Sequence, residues 1–152
     1  MIEGDDLVNR IEAMRKMGTF RIGCKIESIV DRKKSAEVEN LLVDTGSDYT
    51  WLPSKSLEKI GVKREKKDVT LMMADGQQIT RNVGFVIIRS DRFFTVDEVV
   101  FAEPGDLLLL GARTLEGFNA RVDSKLKKLV AAGPLVAAGN LAGMVSNNNK
   151  GI

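Results

Sequence analysis

Histidine is absent from the 152 residues, and that gap removes a Ser-His-Asp triad, a Cys-His pair and every histidine-ligated metal site from a single chain. Hydrolytic chemistry, if present, has to run on carboxylates, hydroxyls, lysine or tyrosine. Cysteine occurs once, as Cys24, which excludes an internal disulfide and a multi-cysteine metal site and fits a reducing, cytoplasmic setting. The expected role of Cys24 is that of a small buried strand residue. No charge of one sign dominates: 23 Lys and Arg stand against 21 Asp and Glu, so there is no electrostatic footprint for a nucleic-acid partner. A clean apolar run of membrane length is missing as well. Leu129 to Val145 carries no charge over 17 positions, but Gly133, Pro134, Gly139, Asn140 and Gly143 interrupt it. A packed or partner-facing tail is therefore expected there in place of a membrane anchor.

What is present suits one soluble domain with one core: 43% apolar and 29% charged residues in a chain of this length exclude wholesale disorder and leave little room for two lobes. Residues 1–17 hold Glu3, Asp5, Asp6 and Glu12 and no apolar core of a secretory signal. Leu7, Ile11 and Met14 recur there at helical spacing, which predicts an amphipathic helix. The partition expected is that helix, a domain over 18–130, and an uncharged Gly/Ala-rich tail over 131–152.

Between these ends the pattern is mostly extended. Phe20, Ile22, Cys24 and Ile26 alternate with polar or small residues, the period of a half-buried strand. A second strand is expected from Ala36 to Val43. Pro53 and Ser54 ahead of Leu57, Ile60 and Gly61 predict a short helix capped at its start and stopped by glycine. Val69 to Ala74 and Gln78 to Ile88 flank Asp75-Gly76, a hairpin signal. A further strand follows from Phe93 to Phe101, then a break at Pro104-Gly105. Leu107 to Leu110 reads as a fully buried strand, Ala112 to Phe118 as a helical turn or two, and Leu126, Leu129 and Val130 as inward-facing. The fold class expected is all-β with a few short helices.

The informative stretch is Leu42-Val43-Asp44-Thr45-Gly46-Ser47, followed by Asp48-Tyr49-Thr50-Trp51-Leu52-Pro53. An apolar strand ending in Asp-Thr-Gly-Ser and followed by Trp-Leu-Pro resembles the active-site strand of aspartic proteases, including those of the pepsin type. Leu109-Leu110-Gly111-Ala112 resembles the second signature of that family, two apolar residues and a glycine leading into a helix. The hairpin tipped by Asp75-Gly76 lies between the two, where the family puts its substrate-covering flap. This order is similar to one lobe of a retroviral-type (retropepsin-like) aspartic protease of the single-lobe, prokaryotic style, over about Gly18 to Val130.

The resemblance implies a small closed-barrel lobe, peptide or protein substrates, and neither metal nor organic cofactor. The chemistry needs two carboxylates about 3 Å apart sharing one proton, as the aspartic-protease dyads do. One Asp-Thr-Gly per chain then implies a symmetric homodimer with Asp44 and its twin on the twofold axis. By the same resemblance Thr45 reaches across the interface, Gly46 admits close backbone, and Ser47 bonds the outer carboxylate oxygen. Met73, Ala74, Asp75 and Gly76 form the flap, and Leu110, Gly111 and Ala112 border the cleft, with Val43 and Leu71 beside them. Asp48 and Asp75 read as turn residues, Trp51 as a core anchor, and Arg113 equally as a solvated side chain or a dimer brace. The hairpin departs from the family in having no Tyr and few glycines, only Gly76 and Gly84, so Met72, Met73 and Ile79 are candidates for an apolar lid. The competing readings are a non-catalytic peptide-binding or dimerisation module on the same lobe, and a membrane-tethered protease.

Overall fold

A computed structural model of the chain describes residues 20–135 and 137–139. The helix expected over 1–17 and the tail from residue 140 onward lie outside the described residues.

The element order is β1 (Arg21–Glu27), β2 (Ser35–Val43), β3 (Thr50–Pro53), α1 (Ser54–Lys59), β4 (Lys66–Met72), β5 (Gln78–Ser90), β6 (Phe93–Ala102), β7 (Leu109–Leu110), α2 (Ala112–Phe118), β8 (Ala120–Asp123) and β9 (Lys128–Ala131). Seven strands form one sheet in the order β1-β2-β7-β3-β6-β5-β4, and an additional pairing of β1 with β5 turns it into a ring. Closing a sheet on itself removes exposed edges, and the all-β lobe expected from the sequence is what the chain builds. β4 projects from the ring, paired to β5 alone, and β8 and β9 form a separate hairpin.

Alternation explains β1: Cys24 and Ile26 point inward while Arg21 and Lys25 are exposed. Burial pushes the Cys24 thiol up to about 12, with a hydrogen bond from Ser90 pulling it partly back and Glu37 adding to the rise. The thiol is therefore inert at neutral pH.

β2 breaks the alternation in a way that matters for the site. Ile22 pairs with Leu41 but Cys24 with Val38, so β2 carries a bulge at Glu39 and Asn40, where Asn40 takes a positive φ of 59°. The extra residue shifts the phase. Val38 is buried before the bulge, and Leu41 and Val43 after it. Leu42 and Asp44 are thereby turned to the opposite face.

Two buried clusters result. The larger gathers Ile26, Leu41, Val43, Leu52, Leu57, Ile88, Val99, Phe101, Leu110 and Phe118 among others. The smaller holds Trp51, Val83, Val100, Ala102 and Leu109, with Leu42, Tyr49, Val69, Leu71, Met73, Ile79 and Leu108 half-buried against it. Trp51 is thus the core anchor that the sequence suggested.

Four local expectations are corrected. Only Leu109 and Leu110 of the leucine run are strand, and Leu107 is 64% exposed, because the turn at Glu103 to Asp106 delivers the chain from the solvent side. Leu126 is also exposed, since it sits in the turn between β8 and β9. Pro53 occupies the N-cap of α1 with no side-chain cap bond, and the Ser54 hydroxyl instead donates to the Ala102 carbonyl. Gly61 does end α1, with φ of +78°. Gly84 is not a flap residue: a Cβ there would stand 2.5 Å from the Lys63 carbonyl oxygen, so this glycine lets the loop ahead of β4 pass close over β5.

Glu27 is buried although its position in β1 ends a surface-facing series. It accepts from Arg89 on β5 and from Arg32 in the β1–β2 loop, tying the ring shut where β1 meets β5. Burial raises its carboxyl, but the two guanidinium hydrogen bonds and charges outweigh that and hold it below its ordinary value. A carboxyl depressed on folding contributes stability that is complete at neutral pH and lost as pH falls through the folded value. Glu27→Gln is therefore expected to lower the melting temperature at pH 7 by roughly 3 °C. In thermal melts across pH the gap to wild type closes in acid, and a gap that stays constant contradicts this account.

Candidate active site

The end of β2 is held from both sides. The Val43 amide donates to the Phe20 carbonyl at 2.9 Å, while the amides of Leu42 and Asp44 donate to the carbonyls of Leu108 and Leu110 at 3.2 and 3.0 Å. β7 runs parallel to β2 and antiparallel to β3, so the strand carrying Asp44 and the Trp-Leu-Pro strand are joined through the two leucines. Asp44 is the first residue past that clamp.

The Asp44 carboxylate is fixed by its own loop. The Gly46 amide donates to Oδ1 at 3.0 Å and the Ser47 hydroxyl to Oδ2 at 2.9 Å, while the Ser47 amide closes the turn onto the Asp44 carbonyl at 3.2 Å. A Cβ on Gly46 would come 3.3 Å from Oδ1, so glycine leaves the carboxylate uncrowded within its own chain. Asp44 and Ser47 are half-buried, and Thr45 and Gly46 are exposed. The Thr45 hydroxyl has no hydrogen-bond partner among the described residues.

The loop is supported from behind by the start of α2. Backbone amides at a helix start have no partner within the helix, and here Ala112 and Arg113 donate to the carbonyls of Ser47 and Asp48 at 2.7 and 3.1 Å. Gly111 is the N-cap of α2 and contributes no side-chain bond. The Gly111 amide donates to the hydroxyl of Thr50, which contacts that of Thr114, which donates in turn to Asp97 on β6. Burial pushes the Asp97 carboxyl up, and the hydrogen bonds from Thr114 and from the Glu98 amide offset only part of that.

The structure brings Asp44, Gly46 and Ser47 together with Leu110, Gly111 and Ala112. It corrects the expected cleft lining, because Val43 and Leu110 are sealed in the larger core and brace the loop from inside. The apolar residues half-exposed on the Asp44 side are Leu42, Tyr49, Leu71, Met73, Ile79 and Leu108. Leu42 would have been legible as the strand neighbour opposite Val43; Ile79 is one of the apolar lid candidates, and Leu108, expected to be fully buried with its run, is half-buried here. Asp48 is an exposed turn residue whose carbonyl receives Arg113. Arg113 itself lies over the Tyr49 ring and 3.8 Å from Glu98.

The hairpin between β4 and β5 turns where expected. Gly76 takes φ of +87°, the Gly76 amide donates to the Met73 carbonyl, and the Met73 amide to that of Gln77. Ala74, Asp75 and Gly76 are exposed, whereas Met73 packs on the smaller cluster. The base of this hairpin is tethered: Arg81 on β5 grips Asp106 through two bonds of 2.7 and 2.8 Å. That contact holds the Asp106 carboxyl below its ordinary value despite partial burial. β5 and the 103–108 segment, which carries Leu107 and Leu108, are thereby tied together.

An apolar strand ending in a clamped Asp-Thr-Gly-Ser turn, backed by an apolar-apolar-Gly turn and with a hairpin between the two along the chain, is a specific combination. Residues 32–114, more than half of the chain, match the aspartyl protease family model. The chain belongs to the aspartyl protease family. The matched span runs from the β1–β2 loop into α2, so it contains the Asp44 loop, the hairpin and the Gly111 turn of this retroviral-type aspartic protease. No curated protein matches the chain. Among its described residues, no helix is long and apolar enough to cross a membrane.

Proposed function

We propose that this aspartyl protease family member is an endopeptidase that works as a symmetric homodimer, with one Asp44 from each subunit forming the catalytic pair. The observation that carries the reading is a carboxylate held by Gly46 and Ser47 on a loop whose tip, Thr45-Gly46, is exposed. The loop is built as half of a two-carboxylate site.

In the assembled pair one Asp44 takes a proton from a water between the carboxylates, and that water attacks the scissile carbonyl carbon. The twin Asp44, protonated, donates to the carbonyl oxygen, so a single residue type supplies both base and acid. The proton then passes to the leaving amide nitrogen as the carbon–nitrogen bond breaks. Ser47 and the Gly46 amide hold the carboxylate orientation through this cycle, and Thr45, without a hydrogen-bond partner among the described residues, joins the two loops. Neither metal nor organic cofactor is required for these steps. Extended peptides with apolar side chains suit the wall formed by Leu42, Leu71, Met73, Ile79 and Leu108.

The test is dilution. Specific activity on an apolar peptide falls as subunit concentration drops below the dimer dissociation constant measured by sedimentation. A chain that stays monomeric at every concentration while cutting at full rate overturns the shared-site reading.

A further inference from the structure

Thr50 and Thr114 are polar side chains with no exposure at all, and a buried hydroxyl needs a partner for its proton as well as for its lone pairs. The proton direction along this line can be assigned by elimination. The Gly111 amide can only donate, and it points at Thr50 Oγ1 from 2.9 Å. Thr114 Oγ1 donates to Asp97 Oδ2 at 2.8 Å. Each hydroxyl has one proton, so the short contact between the two threonines must be Thr50 donating to Thr114. All three protons therefore run one way, from Gly111 through Thr50 and Thr114, and end on the Asp97 carboxylate.

The other end of the line is the Asp44 loop. Gly111 lies between Leu110, whose carbonyl receives the Asp44 amide, and Ala112, whose amide holds the Ser47 carbonyl. We propose that Asp97 is a positioning residue for the catalytic loop, acting through Thr114, Thr50 and the Gly111 amide to fix the segment from which Asp44 and Ser47 hang. As a positioning role for peptide cleavage, it rests on the function proposed above.

The chemistry of the carboxylate is what the line needs. Asp97 accepts at both oxygens, Oδ2 from Thr114 and Oδ1 from the Glu98 amide at 2.7 Å. Asparagine has one acceptor and one donor end in nearly the same shape. With its oxygen toward Thr114 its NH2 faces the Glu98 amide, and with the ends exchanged its NH2 faces Thr114 and the proton order must reverse. No orientation of an amide satisfies both donors, so the isosteric change unsettles the line while removing little volume. Burial that raises the Asp97 carboxyl means the ionised form opposes folding above that value, as expected of a charge retained for the site and not for stability.

The experiment uses the full chain as wild type, Asp97→Asn, Thr114→Val and the double variant. Four readings are taken: kcat and KM on an apolar peptide, sedimentation, thermal melting, and amide hydrogen exchange at Gly111 and Ala112. The expected result for Asp97→Asn is a kcat lowered by about 10- to 100-fold with KM within about twofold, the dimer intact, and a melting temperature within about 3 °C of wild type. Exchange at Gly111 and Ala112 accelerates while that of Leu52 and Val100 does not. The double variant is no worse than the worse single one, because both cut the same line. Wild-type kcat and exchange in Asp97→Asn, or penalties that add in the double variant, overturn the proposal, as does an activity loss that only follows the unfolded fraction. A wild-type chain that cuts no peptide refutes the cleavage reading separately, and the exchange measurement still decides whether Asp97 holds the loop.

Discussion

If the proposed pair is the catalyst, replacing Asp44 with Asn is expected to leave a folded dimer that no longer cuts peptides. The substitution keeps the shape of the side chain and one acceptor oxygen, but in the proposed mechanism it removes the group that takes the proton from water in one subunit and the group that donates to the substrate carbonyl in the other. Loss of a positioned acid or base is worth on the order of 10²–10⁴ in rate, and here both are lost together. The Gly46 amide and Ser47 hydroxyl still find acceptors or donors on the amide, so melting temperature is expected to change little. Mixing gives the sharper test. If subunits exchange freely and the pair is shared, an equal mixture of wild type and Asp44→Asn contains about one quarter fully wild-type dimers, and activity per wild-type chain falls by about half. Independent sites would leave activity per wild-type chain unchanged. Peptide cleavage after subunit exchange, with sedimentation to confirm mixed dimers, decides between them.

The parts of this molecule that could be read from sequence are those set by neighbours in the chain. The alternation of Phe20 to Ile26, the Asp75-Gly76 turn, the glycine after Ile60 and the strand running into Asp44 each depend on a few consecutive residues, and each appears where expected. The Asp-Thr-Gly-Ser loop belongs to this class because Gly46 and Ser47 bond a carboxylate only two and three positions away. What was illegible depends on partners far along the chain. Glu27 reads as a surface charge until β5, 62 positions on, delivers Arg89. The phase shift at Asn40 shows only in the register against β1, and it decides that the face shared by Leu42 and Asp44 is turned away from the core that buries Val38, Leu41 and Val43. Thr50 and Thr114, 64 positions apart, give no local sign that they meet. The loop and the Gly111 turn that supports it could be recognised at once; the threonine line beneath that turn could not.

Gly111 is where that support has least tolerance, and Gly111→Ala is expected to be the most destabilising single-methyl change among the glycines discussed. A Cβ at Gly111 would overlap the Tyr49 carbonyl, standing 2.6 Å from its carbon, and would come 2.8 Å from the Asp48 carbonyl oxygen. These obstacles are backbone and cannot rotate away. Nor can the segment withdraw, because Leu110, Ala112 and Arg113 are bonded to Asp44, Ser47 and Asp48 on one side and Gly111 to Thr50 beneath. Overpacking at such a site is worth about 3–5 kcal/mol, a large share of the roughly 5–15 kcal/mol that holds a typical domain together. The melting temperature should fall by about 10 °C or more. Any fraction that still folds should do so with the Asp44 loop displaced and cleavage reduced beyond the loss of folded protein. Gly23→Ala is the control, since its nearest neighbour, the Val38 carbonyl oxygen, is 3.8 Å away and a strand residue gains from a Cβ. Thermal melts of the two variants side by side test the argument, and it is overturned if Gly111→Ala melts with Gly23→Ala.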